Sequence, residues 1–100
     1  MHARVTTVEI RPGTMDELIG FFEEVAPQLK GLQGFVRSQL LVDRAANKVI
    51  VASLYETPAD LEAGETLFRQ SMADPRATAV IAGPPVVGVY ELARQVTANQ

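Results

Sequence analysis

Two periodicities divide this sequence. Residues 3–10, Ala-Arg-Val-Thr-Thr-Val-Glu-Ile, are rich in β-branched side chains and read as a strand closed by Arg11-Pro12-Gly13. From Met15 the spacing changes: Leu18, Ile19, Phe22, Val25, Ala26 and Leu29 recur every three or four residues and predict an amphipathic helix. Thr14-Met15-Asp16-Glu17 has the form of a capping box, in which the Thr14 hydroxyl accepts from the Glu17 amide. Pro27 is expected to kink or loosen the last turn, and Gly31 and Gly34 supply the exit. Phe35–Val42 and Lys48–Glu56 follow as a hairpin around Asp43-Arg44-Ala45-Ala46-Asn47. Thr57-Pro58-Ala59-Asp60 opens a second helix, with threonine as cap, proline at the first position and aspartate at the positive end. Its apolar stripe is Leu61, Gly64, Leu67, Phe68 and Met72. Residues 76–82 form a short helix, Val86–Ala93 the last strand, and the polar tail from Gln95 to Gln100 frays.

The order strand, helix, strand, strand, helix, strand suits the ferredoxin-like βαββαβ arrangement: an α+β fold with an antiparallel sheet, one domain over residues 1–100. Alternation assigns each strand residue to a face. If Asp43 and Lys48 close the hairpin, Val42 faces Val49, Leu40 faces Val51, Ser38 faces Ser53 and Val36 faces Tyr55. The other parity holds Phe35, Arg37, Gln39, Leu41, Ile50, Ala52 and Leu54. Both sets are mainly apolar, the pattern of a sheet covered on two sides. One face takes the helices; the other is expected to take a second subunit, which makes a homodimer the working assembly.

The helix-side face is apolar with hydroxyls clustered towards one end: Ser38, Ser53 and Tyr55. On the first strand, Arg4 and Thr6 share parity with Val8 and Ile10 and join that face. An apolar cavity with a few convergent polar groups is the usual form of a small-molecule site. The same hydroxyls also suit a core in which they are satisfied by backbone or water. Tyr55 ends its strand just before the second helix, where its hydroxyl either meets a ligand or reaches solvent. Arg37 and Gln39, on the opposite face, are expected to pair with carboxylates of the partner subunit.

Composition removes several function classes. The chain has 100 residues, 47% of them hydrophobic and 21% charged, with a net charge of −3 that argues against a nucleic-acid partner. With no cysteine and only His2, neither a thiolate nor a multi-histidine metal site is available within one chain. No apolar stretch is long enough to span a membrane. The N-terminal residues lack the apolar core of an export signal, so the expectation is a cytoplasmic protein. Gly31-Leu32-Gln33-Gly34 lacks the lysine and the strand-to-helix setting of a phosphate loop.

Several short runs together resemble a known family. They are Arg11-Pro12-Gly13-Thr14 into a helix, Gly34-Phe35-Val36 opening the second strand, and Leu41-Val42-Asp43-Arg44 before the turn. Leu54-Tyr55-Glu56-Thr57 and Val89-Tyr90-Glu91-Leu92 complete the set. Over residues 3 to 94 the chain resembles the antibiotic biosynthesis monooxygenase-like family of dimeric α+β barrels. The resemblance implies a homodimer whose two sheets close a barrel, with a pocket between helices and sheet in each subunit. It also implies a monooxygenase that uses no cofactor and no metal, passing an electron from the anion of a small aromatic or quinol-type substrate to molecular oxygen. Such chemistry asks for positioning, a dry cavity and hydrogen bonds to developing charge. Thr6, Ser38, Ser53 and the catalytic candidate Tyr55, walled by Phe22, Leu67, Phe68 and Met72, are the residues assigned to it. No histidine or carboxylate shares the pocket-side parity, so deprotonation falls to water or to the substrate's own acidity.

A haem-degrading branch of the family uses an asparagine on the first strand, a tryptophan on the third and a histidine on the second helix. Thr6 and Tyr55 stand at the matching positions here, and the second helix has no histidine, so haem degradation is not expected. Two other readings remain beside the oxygenase. One is a dimer that binds a small apolar metabolite without oxidising it; the other is a structural dimer with a filled core. A cavity too small for a ring system favours the last.

Overall fold

A computed structural model describes residues 1–99. Its elements are β1 (His2–Glu9), α1 (Met15–Lys30), β2 (Phe35–Asp43), β3 (Lys48–Tyr55), α2 (Pro58–Met72), α3 (Pro75–Val80) and β4 (Val86–Glu91). The strands form one antiparallel sheet in the order β2-β3-β1-β4, the ferredoxin-like topology. The helices pack on one face of β2, β3 and β1. Val8, Ile10, Met15 and Val49 form the buried core on that face, with Leu18, Ile19, Leu40 and Ile81 packed against it.

The hairpin register follows the alternation as far as Ser38. Val42 pairs with Val49, Leu40 with Val51 and Ser38 with Ser53, but a bulge between Phe35 and Arg37 then shifts the pairing. Phe35, not Val36, lies opposite Tyr55, and Val36 is left exposed. An extra residue in one strand turns the following side chain to the other face, which alternation cannot anticipate. Phe35 now meets Tyr55 edge-on, with ring centres 5.8 Å apart and planes at 68°.

The helix starts differ in chemistry. At α2 the Thr57 hydroxyl accepts from the Asp60 amide at 3.1 Å, as its sequence predicts. At α1 the expected capping box does not form: the Thr14 hydroxyl instead donates to the Arg11 carbonyl at 2.6 Å. A hydroxyl turned back into the preceding turn offers nothing to the helix amides. Thr57→Ala is therefore expected to cost about 1 kcal/mol and Thr14→Ala about half of that or less. Equal losses in chemical denaturation would contradict this difference. Pro27 does not end α1 either; the helix continues through it to Lys30.

Leu54 departs from the expectation of an interface residue. It lies on the outer face of the sheet yet is 6% exposed, whereas Leu41 on the same face is 53% exposed. β2 and β4 are opposite edges of the sheet, and Arg37 on β2 donates to Gln95, just beyond β4, at 2.6 Å. The chain after β4 must therefore cross the outer face to reach Arg37, passing the end of the sheet where Leu54 lies between Ala3 and Arg37. Within its own chain Arg37 thus has Gln95 as a partner, and the tail is held at Gln95; Gln100, to which the expected fraying extends, lies outside the described residues.

Candidate functional site

Between the helix layer and the sheet lies a cavity of about 90 Å³. Phe22 of α1 and Leu67, Phe68 and Met72 of α2 wall it, and Ser53 and Tyr55 at the end of β3 contribute to its floor. The structure thus brings these predicted residues together. It places two others behind the cavity surface. Ser38 is hydrogen-bonded to Ser53, Oγ to Oγ at 2.8 Å, and does not line the cavity. Thr6 is 0% exposed and accepts from Arg4 rather than facing the cavity.

Tyr55 is 1% exposed, and its seat depends on Gly64 of α2. A methyl group built on Gly64 would overlap the Tyr55 hydroxyl and the ring carbon that bears it. The helix can pass over the tyrosine only because it presents a glycine there. Gly34 plays a similar part at the entrance to β2: its φ is +75° and the Asp60 side chain fills the space of its missing Cβ. Burial pushes the Tyr55 phenol above its ordinary pKa, while Ser53 and then Arg4 act against the shift. At neutral pH the phenol keeps its proton and is a hydrogen-bond donor.

Arg4 is the residue that the sequence reading placed on this face but left out of the site. It lines the cavity and is 6% exposed. Nη1 donates to Thr6 Oγ1 at 2.7 Å, and Cζ stands 4.2 Å from the centre of the Phe68 ring. Nε is fully enclosed and, among the described residues, has no hydrogen-bond partner. Burial lowers its pKa; Glu65 and then Tyr55 counter that shift, and Arg69 adds slightly to it. The signal in the sequence was a cation at an even position of a strand whose neighbours on that face, Thr6, Val8 and Ile10, are uncharged.

A groove of about 310 Å³ between α1 and the α2–α3 corner adjoins the cavity and shares Phe21, Val25, Leu67 and Ser71 with it. Arg76 bridges this groove, pairing with Glu24 of α1 and with Asp74 at 3.0 Å, its guanidinium carbon 5.1 Å from the centre of the Phe21 ring. The groove is polar where the adjoining cavity is apolar.

The same architecture is found in solved structures. The putative antibiotic biosynthesis monooxygenase of Caulobacter crescentus superposes with a TM-score of 0.78 at 21% identity, over 93% of this chain and 90% of that one. The fold is the antibiotic biosynthesis monooxygenase-like fold. A protein of unknown function from Nitrosomonas europaea shares it with a TM-score of 0.81 at 19% identity, over 96% of this chain and 92% of the other. So does the haem degrader MhuD of Mycobacterium tuberculosis, at 0.77 and 21% identity over 97% of this chain and 100% of MhuD, whose structure holds two haems in its active site. No protein-family profile matches the chain. Two uncharacterized proteins from different strains of Mycobacterium tuberculosis are 30% identical over 97 residues. That match takes in 93% of this chain but 41% of theirs, so the chain spans about two-fifths of their length.

Haem does not fit the present variant of this fold. α2 carries no histidine, and Arg4, Tyr55 and Phe68 line a cavity of about 90 Å³, whereas an engineered cavity of about 150 Å³ takes a ligand of the size of benzene, far smaller than haem. Among the described residues no cluster of histidine, cysteine or carboxylate side chains suits a metal ion, and no helix is long and apolar enough to cross a membrane.

Proposed function

We propose that this chain is an antibiotic biosynthesis monooxygenase-like protein. It oxidises a small aromatic or quinol-type substrate with molecular oxygen, without a cofactor, in the cavity between helices and sheet. The observation that carries this reading is the make-up of the cavity: an aromatic-lined chamber whose polar side chains are Ser53, Tyr55 and Arg4 on the sheet floor, where Arg4 pairs with Ser53 in the strand register, and Ser71 of α2, whose hydroxyl donates to the Leu67 carbonyl. A filled structural core gives no reason to keep a buried guanidinium that, among the described residues, pairs with no carboxylate. At about 90 Å³ the closed form is smaller than the cavity of about 150 Å³ that binds benzene, so even a single ring requires the walls to yield. A polycyclic substrate requires α1 and α2 to part along the Arg76–Glu24 groove.

The chain's contribution to the reaction is placement, exclusion of water and hydrogen bonding. Phe22, Leu67 and Met72 hold the ring, and the substrate oxygen is turned to the floor. The ionised substrate passes one electron to oxygen, and the resulting pair combines to form a carbon–oxygen bond. Loss of water then leaves a carbonyl: a ring CH2 and O2 give C=O and H2O, with one oxygen atom in each product. Tyr55, held protonated, donates to the oxygen on which charge accumulates. No carboxylate or histidine lines the cavity, so the substrate proton leaves by its own acidity.

The active form in this reading is a homodimer. Leu41, Val86 and Tyr90 leave apolar surface on the sheet face opposite the helices, and a second copy covers it. Leu41→Glu is expected to give a folded monomer or an aggregate by light scattering; an unchanged dimer would sink this assignment. The want of a general base favours one alternative, a dimer that binds a small metabolite without oxidising it. Native mass spectrometry of the protein as purified would reveal a carried ligand.

The test of turnover is oxygen uptake with hydroquinone, dihydroxynaphthalenes and anthrone, against buffer and heat-inactivated protein. Saturable, protein-dependent uptake is expected with at least one of them. Uptake equal to autoxidation across the whole panel would overturn the oxygenase reading.

A further inference from the structure

On the helix-side face of β1, Arg4 lies between Thr6 and His2. His2 pairs with Tyr55, so a histidine does share the parity from which the sequence reading excluded one, although it does not line the cavity. Arg4 is the charged side chain buried there. Its surroundings satisfy little of it. The fork donates to Thr6 and lies on the Phe68 ring, and Nε has no partner among the described residues. Among the described residues no carboxylate comes within 4.0 Å of it. Glu65, the carboxylate whose field reaches it, is engaged by Arg69 at 3.5 Å. A buried cation without a counter-ion is costly, and a chain that keeps one next to a cavity has a ready-made place for an anion.

The shape of the group narrows which anion. A guanidinium is a planar fork of five donors that meets a planar oxyanion two N–H groups at a time. Thr6 takes one donor and sets the plane, so it is a positioning residue, and among the described residues the buried Nε has no acceptor. The cavity beyond is apolar, with Phe22 and Phe68 in its wall. We propose that Arg4 recognises an oxyanion borne on an aromatic ring, a carboxylate or a phenolate, and that it favours the ionised form of whatever the cavity binds. This deepens the reading of the cavity as the substrate site: it supplies, by charge rather than by a base, the substrate anion that the oxygenase chemistry starts from.

4-Nitrophenol is a direct probe, because its neutral and ionised forms have different absorption spectra and can be titrated separately. The folded wild-type protein is expected to bind nitrophenolate at least tenfold more tightly than nitrophenol, lowering the bound ligand's apparent pKa by one unit or more, since tenfold corresponds to one unit. Arg4→Met is expected to abolish or invert that preference. Arg4→Lys is expected to keep part of it, because the charge remains but the fork does not. Thr6→Val should weaken the preference with the charge still present. Benzoate against benzamide gives the same comparison for a carboxylate.

Equal binding of the two nitrophenol forms by wild type, an unchanged preference in Arg4→Met, or no binding of either form would overturn the proposal. Should Arg4→Met fail to fold, the wild-type preference and the Arg4→Lys and Thr6→Val variants decide it. An anion preference without oxygen uptake would count against the oxygenase alone. Oxygen uptake without an anion preference would count against Arg4 alone.

Discussion

Gly64→Ala is expected to lower the melting temperature by about 5–15 °C, although alanine is the better helix former. In an exposed helix the exchange would gain about 1 kcal/mol. Here the added methyl overlaps the phenol of Tyr55, whose rigid ring is buried against Phe35 and can shift only by giving up that contact. Overpacking of that kind costs about 1–3 kcal/mol, and where several atoms overlap the upper end applies, leaving a net loss of about 1–2 kcal/mol. For a domain of this size each kcal/mol moves the midpoint by about 4–8 °C. The loss should vanish when Tyr55 is first shortened to leucine, because the two positions share one space. Thermal denaturation of the single and double variants checks both statements. A Gly64→Ala protein as stable as wild type would mean that Tyr55 is not seated under α2.

Tyr55→Phe is expected to lower kcat by about 100-fold or more with little change in KM. Loss of a single donor to developing negative charge typically costs about 10²–10³ in rate, and a donor that acts mainly in the transition state leaves ground-state binding almost untouched. The fold should survive, since the ring and its contact with Phe35 remain. A pH dependence accompanies this. The folded chain holds the Tyr55 proton more tightly than an unfolded chain does. Its contribution to stability is therefore complete below the ordinary phenol value of about 10 and is lost as pH rises through the raised folded value. Tyr55→Phe should flatten that alkaline decline and leave stability at neutral pH nearly unchanged. Equal kcat in the two proteins would remove Tyr55 from the chemistry, and equal alkaline slopes would mean that its proton is not tied to folding.

Elements governed by local pattern were legible in the sequence. Period-two and helical spacings placed every element of the sheet and helix layer within a few residues, and the Thr57 cap formed as its motif predicts. The residues walling the cavity from α1 and α2 were likewise legible, because a helix stripe that faces a sheet must meet whatever lies between them. What was hidden depended on events that pattern does not encode. Alternation tells which face a residue takes but not how deep it sits, so Thr6 and Ser38 were expected in the cavity and lie one layer behind it. The bulge at Val36 replaced it with Phe35 as the neighbour of Tyr55. Leu54 was read as interface because nothing local shows that the segment reaching Gln95 crosses the sheet. Arg4 stood on the expected face, but that it pairs with no carboxylate among the described residues shows only in three dimensions.

The central claim, that this cavity inserts an atom of molecular oxygen into a small aromatic substrate, is most directly tested with isotopically heavy oxygen gas. A quinol or anthrone that the protein turns over would be incubated under labelled gas in unlabelled water, and product and solvent analysed by mass spectrometry. One heavy atom in each product molecule and the other in water is the predicted result. Unlabelled product, or hydrogen peroxide formed in the amount of oxygen consumed, would contradict it.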